Sequence, residues 1–180
     1  MLKSSSNGEP TKGNTVAVLS LGANVGSREE AILHAVDRLT EEHGITVGKL
    51  SSLYETEPVD IRTEHAFINA VCVIETALEP GALLAACKRL EREFGRNGCG
   101  RGGDRTLDID IVLYGDRLVM EPGLVIPHPR FRERPFVLIP LEEVIPDLRI
   151  PPDHSSVHEV AEKTSRSGWV RKVSSRNEIS

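Results

Sequence analysis

Cysteine is scarce in this chain, with 3 among 180 residues. Cys72, Cys87 and Cys99 are widely spaced, odd in number and form no C-x-x-C pair, which argues against a disulfide framework or a zinc site and suits a reducing compartment. No apolar run approaches the length of a membrane span, and the polar start of the chain lacks the apolar core of a secretory signal. A cytoplasmic protein is expected. An excess of positive charge is also missing: 22 basic against 27 acidic side chains leave a formal charge of −5. Neither nucleic acid nor an anionic membrane is attracted to that balance. The phosphate-loop signature G-x-x-x-x-G-K-[ST] is absent, as are internal repeats and any sign of a second domain. What remains, 39% hydrophobic and 27% charged residues, is the composition of one globular domain with a sizeable core.

Within that domain, residues 1–14 are polar and rich in Ser and Gly, and read as a tail. Residues 15–21 form a short apolar run that predicts a strand ending in the turn Gly22-Ala23-Asn24-Val25-Gly26. Ser27 with Glu30 matches a capping box ahead of the stripe Ile32, Leu33, Val36, Leu39, with Gly44 placed to end that helix. A second strand is expected over residues 45–54, then a loop interrupted by Pro58. A third strand covers residues 67–76, and Phe67 and Asn69 share one of its faces. The amide is either a hydrogen-bonded strand-end residue or a reader of a flat heterocycle beside the ring. Glu79 and Pro80 open a second helix that carries Leu83, Leu84, Cys87, Leu90, Glu91 and Phe94 and stops at Gly95.

The next strand centres on Arg105-Thr106-Leu107-Asp108-Ile109-Asp110-Ile111-Val112-Leu113. Leu107, Ile109, Ile111 and Leu113 alternate on one face, while Asp108 and Asp110 share the other. Two steps along a strand span roughly 7 Å, so these carboxylates either face water or converge on one divalent cation or a close pair of cations. The order strand, helix, strand, strand, helix, strand is that of a ferredoxin-like α+β sheet, βαββαβ. Before the acidic strand lies a glycine-rich arch over residues 96–104. A helix precedes it and a strand follows, the reverse of a Rossmann fingerprint, so it reads as a lid or a simple linker. Residues 88–105 hold six basic side chains against three acidic ones. Arginines beside paired carboxylates suit a metal-bound polyphosphate, and Arg96 and Arg105 flank the arch.

Further on, Gly115-Asp116 predicts a hairpin turn from which residues 118–126 return as an edge segment broken at Pro122-Gly123. Two prolines stiffen the backbone around His128. Arg130, Arg132 and Arg134 add positive charge, and residues 136–141 are an apolar closing segment headed by Phe136. His154 and His158 sit in a polar stretch and read as surface residues. The chain beyond about Val170 is expected to be loose.

The motifs Leu21-Gly22-Ala23-Asn24, Tyr54-Glu55-Thr56-Glu57-Pro58, Phe67-Ile68-Asn69-Ala70, Arg105-Thr106-Leu107-Asp108-Ile109-Asp110 and Ile126-Pro127-His128-Pro129 resemble, in order, those of the 6-hydroxymethyl-7,8-dihydropterin pyrophosphokinases of folate biosynthesis. The resemblance implies a catalytic domain over residues 15–165, with tails at 1–14 and 166–180. It implies transfer of a pyrophosphoryl group from ATP to the pterin hydroxymethyl oxygen, with release of AMP, by a chain expected to act as a monomer. Asp108 and Asp110 match the ligands of a pair of magnesium ions, and Arg96 and Arg105 the arginines at the transferring group. Lys88, Glu91, Ile111, His128 and Arg134 match the ATP side. Phe67 and Phe136 match the rings that sandwich the pterin, Asn69 the amide at its edge, and Thr56, Pro58 and Val59 the loop beside it. The residue before the motif arginine, often proline in the family, is Asp104. Two other readings fit the residues: a metal-dependent phosphohydrolase, and a non-catalytic ferredoxin-like binding module. The acidic balance and the lack of paired aromatics weigh against RNA as the module's ligand.

Overall fold

The computed structural model describes residues 13–59, 63–95, 104–164 and 168–174. Strand β1 (Thr15–Ala23) runs down the middle of a six-stranded antiparallel sheet, two residues longer than the apolar run alone predicts. It pairs on one side with β4 (Phe67–Thr76) and on the other with β5 (Asp108–Tyr114). Gly22 and Ala23, expected in a turn, are held in the ladder opposite Asn69 and Ile68.

The strand expected over residues 45–54 is two: β2 (Ile45–Leu50) and β3 (Leu53–Thr56), end to end along the same edge of β4. Ser51 and Ser52 cause the break. Val71 N–H donates to Ser51 Oγ at 2.9 Å, and Ser52 donates its N–H and Oγ–H to Glu143 at 2.8 and 2.6 Å. The core order β5, β1, β4, β2, with β4 splitting β1 from β2, is the ferredoxin-like arrangement.

Helices α1 (Arg28–Glu41) and α2 (Pro80–Glu93) cover one face, where Leu19, Leu21, Ile68, Ile74, Ile109 and Ile111 meet Ile32, Leu39, Leu83 and Leu90. The capping box expected at Ser27 does not form. Ser27 has ψ 74°, outside the extended conformation of a capping residue, and its side chain makes no cap bond; its carbonyl accepts the first bond, from Ala31. A capping box does form at Ser156 and Glu159, opening α4 (Val157–Lys163).

The opposite face is half covered. The apolar closing segment is helix α3 (Pro135–Val144), which packs Val137, Leu138 and Leu141 with Phe131 against Val18, Val71, Val112 and Leu113. Residues 118–126 do not return along β5. Instead β6 (Val119–Glu121) and β7 (Leu124–Ile126) form their own hairpin, and Pro122-Gly123 is its turn, with Gly123 at φ 81°. A short pair, β8 (Arg149–Ile150) and β9 (Ser155–Ser156), precedes α4. His154 and His158 are exposed, the latter paired with Glu142 at 2.7 Å.

The chain after Val170 is not a tail throughout: β10 (Val170–Ser174) adds to β3 as an edge strand. Its sequence is short and polar, so periodicity gave no sign of it; the free edge of β3 and the ion pairs Arg171–Glu55 and Lys172–Glu143 hold it there.

Candidate active site

Strand alternation puts Val18, Ser20 and Gly22 of β1 and Phe67, Asn69 and Val71 of β4 on the α3 face, with Asp108 and Asp110 beside them on β5. The register sets Asp108 opposite Gly22, and Gly22 in turn opposite Asn69. Where α3 stops covering this face, the ends of β1, β3, β4 and β5 enclose a cavity of about 260 Å³.

Ten of the expected residues line it: Thr56, Val59, Phe67, Asn69, Arg105, Asp108, Asp110, His128, Arg134 and Phe136. Ser20, Gly22 and Glu57 line it as well, although residue-by-residue reading gave them no role. Pro58 is not among the lining residues. Ile111 points into the helix-side core, 4% exposed. Lys88 and Glu91 lie on α2 behind β5, where Glu91 accepts from Lys88 Nζ and from Ile109 N–H, each at 2.8 Å. Thus Glu91 pins the peptide between the two aspartates rather than lining the cavity. Arg96 and the rest of the arch up to residue 103 fall outside the described residues.

At one end of the cavity, Asn69 Nδ2 donates to Thr56 Oγ1 at 2.7 Å, and both residues are buried. The bond fixes the amide and leaves the amide oxygen and the threonine hydroxyl hydrogen for a ligand. Phe67 flanks them from the sheet, and Phe136 reaches the cavity from the first turn of α3, with the Arg134 guanidinium 5.6 Å from its ring centre.

The other end is charged. Arg105 pairs with Asp108, and its main chain is held by Asn24: Arg105 N–H donates to Asn24 Oδ1 at 2.6 Å, and Asn24 N–H to Arg105 O at 2.9 Å. A bulge leaves Val112 without a partner on β1, and its carbonyl accepts His128 N–H at 2.9 Å, bringing the imidazole beside Asp110. The same bulge reverses the alternation, so Tyr114 and not Leu113 returns to the helix side.

Burial and the charge of Asp108 push the Asp110 carboxyl up, against the pull of His128, Lys88 and Arg134. Burial likewise pushes the His128 imidazole down, although Asp110 opposes this. Two hard carboxylates in a half-dry site, one of them electrostatically strained, suit a divalent cation. Among the described residues no cluster of three or more His, Cys, Asp or Glu stands ready to hold a metal. A cation here would therefore complete its shell with water or ligand phosphates, as magnesium does.

Fold and site together define an α+β protein of ferredoxin-like order whose ring pocket opens on an acidic strand. A family model described as 7,8-dihydro-6-hydroxymethylpterin-pyrophosphokinase (HPPK) matches residues 18–146. The chain belongs to that family. It is 42% identical over 160 residues to the folic acid synthesis protein fol1 of Schizosaccharomyces pombe, covering 89% of this chain and 22% of that one. The 2-amino-4-hydroxy-6-hydroxymethyldihydropteridine pyrophosphokinase of Bacillus subtilis is 41% identical over 131 residues, 73% of this chain and 78% of its own length. The Methylorubrum extorquens protein of the same name is 39% identical, covering 87% and 98%. This chain thus spans 22% and 20% of two fungal relatives but most of the bacterial ones. The Plasmodium falciparum HPPK-DHPS structure with SDX-DHP superimposes with a TM-score of 0.69 at 16% identity, over 86% of this chain and 45% of that one. At that identity the likeness speaks for the fold alone. No helix among the described residues is long and apolar enough to cross a membrane.

Proposed function

We propose that this chain transfers the pyrophosphoryl group of ATP to the hydroxymethyl oxygen of 6-hydroxymethyl-7,8-dihydropterin, releasing AMP, in folate biosynthesis. One observation carries the reading: one cavity joins a ring slot to a charged end lined by Asp108, Asp110, Arg105 and His128. Phe67 and Phe136 stack on the pterin, and the amide oxygen of Asn69 and the hydroxyl of Thr56 read its donor and acceptor edge. Val59, with Pro58 before it, closes the slot. The hydroxymethyl group then points toward Asp108 and Asp110.

Arg105 and, from outside the described residues, Arg96 neutralise charge on the transferring group, while His128 and Arg134 hold the nucleotide phosphates. Lys88, Glu91 and Ile111 support the ATP side from α2 and β5. The pterin oxygen attacks the β-phosphorus in line, an O–P bond forms there, and the bridging oxygen leaves with AMP. Asp108 and Asp110 would hold magnesium, expected as two ions, which supplies Lewis-acid neutralisation of the phosphate oxygens. The same reading carries a cytoplasmic monomer whose partners are these two small molecules.

The test is AMP release from ATP with and without the pterin alcohol. AMP that depends on the pterin is expected, and Asp110→Asn should lower its rate at least about a hundredfold while the protein stays folded. Phosphate released without the pterin would point to hydrolysis, and no turnover of either kind to a binding module.

A further inference from the structure

Three segments that carry the cavity-lining residues Gly22, Phe67 and Arg105 meet: the end of β1 with Asn24, the stretch that leads into β4, and the stretch that leads into β5. Asp104 joins them. Its Oδ1 accepts from Thr63 Oγ1 at 2.8 Å and from Asn24 Nδ2 at 3.2 Å, with His65 Nδ1 at 3.3 Å from the same oxygen. Thr63 Oγ1 also accepts His65 N–H at 3.2 Å, which folds the 63–65 segment around the carboxylate. The bonds from Thr63 and His65 hold the Asp104 carboxyl below the usual range, so it remains an acceptor at neutral pH.

The placement gives this contact a role beyond local order. Thr63 stands four residues before Phe67 at one end of the cavity, and Asp104 four before Asp108 at the other. Asn24, buried at 4% exposure, holds Arg105 by its main chain and Asp104 by its side chain. On the far side, Arg28 Nη1 donates to Ala66 O at 2.7 Å and fixes the entry to β4. Among the described residues, Thr63 and His65 tie the stretch before Ala66 to Asp104, at the phosphate end of the site.

We infer that Asp104 is a positioning residue: through Thr63 and His65 it latches the segment leading into Phe67 to the strand end that fixes Arg105, and so sets the pterin slot against the reacting end. This rests on the function proposed above. The latch is exposed at both ends, with His65 at 64% and Asp104 at 53%, so its loss leaves the core intact. Asn24 still holds the Arg105 main chain, which confines the effect to the ring substrate.

The experiment titrates the pterin alcohol into the protein in the presence of magnesium and a non-hydrolysable ATP analogue, and measures KM for each substrate. Asp104→Ala and Thr63→Val are each expected to weaken pterin binding about three- to tenfold, the scale of exposed hydrogen bonds, with the KM for ATP and the thermal midpoint unchanged. The double variant should fall well short of the product of the two single penalties, because the Thr63–Asp104 bond is lost in both. Asp104→Asn, which keeps an acceptor for Thr63, should recover most of the loss. Pterin affinity in Asp104→Ala within about twofold of the wild type, or penalties that multiply in the double variant, would overturn the latch while leaving the functional reading in place. A wild-type chain that binds no pterin overturns both.

Discussion

Gly22 lies in a regular strand, and its importance comes from closeness and not from an unusual φ. A Cβ at this position would stand 3.0 Å from Asn69 Oδ1 and 3.8 Å from Phe67 Cδ1. The neighbouring amide would have to give way by a few tenths of an ångström, off its bond with Thr56. Gly22→Ala is therefore expected to raise the KM for the pterin about tenfold and to leave kcat and the urea midpoint nearly unchanged; an unaltered KM would count against Asn69 as the edge reader. Phe67, Asn69, Asp108 and Asp110 could be read from the sequence because alternation alone puts each pair on one face. Ser20 and Gly22 could not, since their part depends on which strands lie on either side of β1. Position signals both, two and four residues after Val18 on the same face, and Gly22 also stands in the motif Leu21-Gly22-Ala23-Asn24. For Ile111, alternation had already assigned the side chain to the face away from Asp110, and the structure agrees.

The elements around the site are joined by Glu143, near the C-terminal end of α3. It accepts from Ser52 N–H, Ser52 Oγ, Tyr54 Oη and Lys172 Nζ at 2.8, 2.6, 3.1 and 3.0 Å, tying the helix that carries Phe136 to the strand that carries Thr56 and to β10. Burial pushes its carboxyl up, but the bonds from Ser52, Lys172 and Tyr54 outweigh this and hold it below the ordinary range. Burial and the carboxylate together push the Tyr54 phenol up to about 12. A lowered folded pKa means stability that is present above the unfolded value and lost as pH falls through the folded one. Glu143→Gln should thus cost about 1–3 kcal/mol at neutral pH, and the gap from wild type should narrow in acid; urea midpoints across that range check it. A gap that widens in acid would contradict the assignment. Surface pairs such as Arg117–Glu79 are screened by solvent and contribute little, so this partly buried cluster is the better handle on the packing of α3.

For the whole molecule, β10 closes one side of the sheet. Ending the chain after Thr164 would remove its ladder with β3 and the two ion pairs to Glu55 and Glu143. With ladder bonds at about 1 kcal/mol each, a loss of about 2 kcal/mol or more is expected in urea unfolding, along with a greater tendency to aggregate through the bared β3 edge. An unchanged midpoint would show that β10 only decorates the sheet. The amino-acid sequence by itself determined the βαββαβ order of the core, the acidic strand, and the pairing of ring with amide on β4, because each follows from a period of 2 or 3.6 within a few neighbouring residues. Only the tertiary structure decided that strand 45–54 breaks at Ser51 and Ser52, that a bulge at Val112 reverses the last turn of β5 and places His128, and that Val170–Ser174 joins the sheet. Each of these depends on a hydrogen-bond partner far away in the chain, such as Val71, Glu143 or Glu55, and no local pattern carries that information.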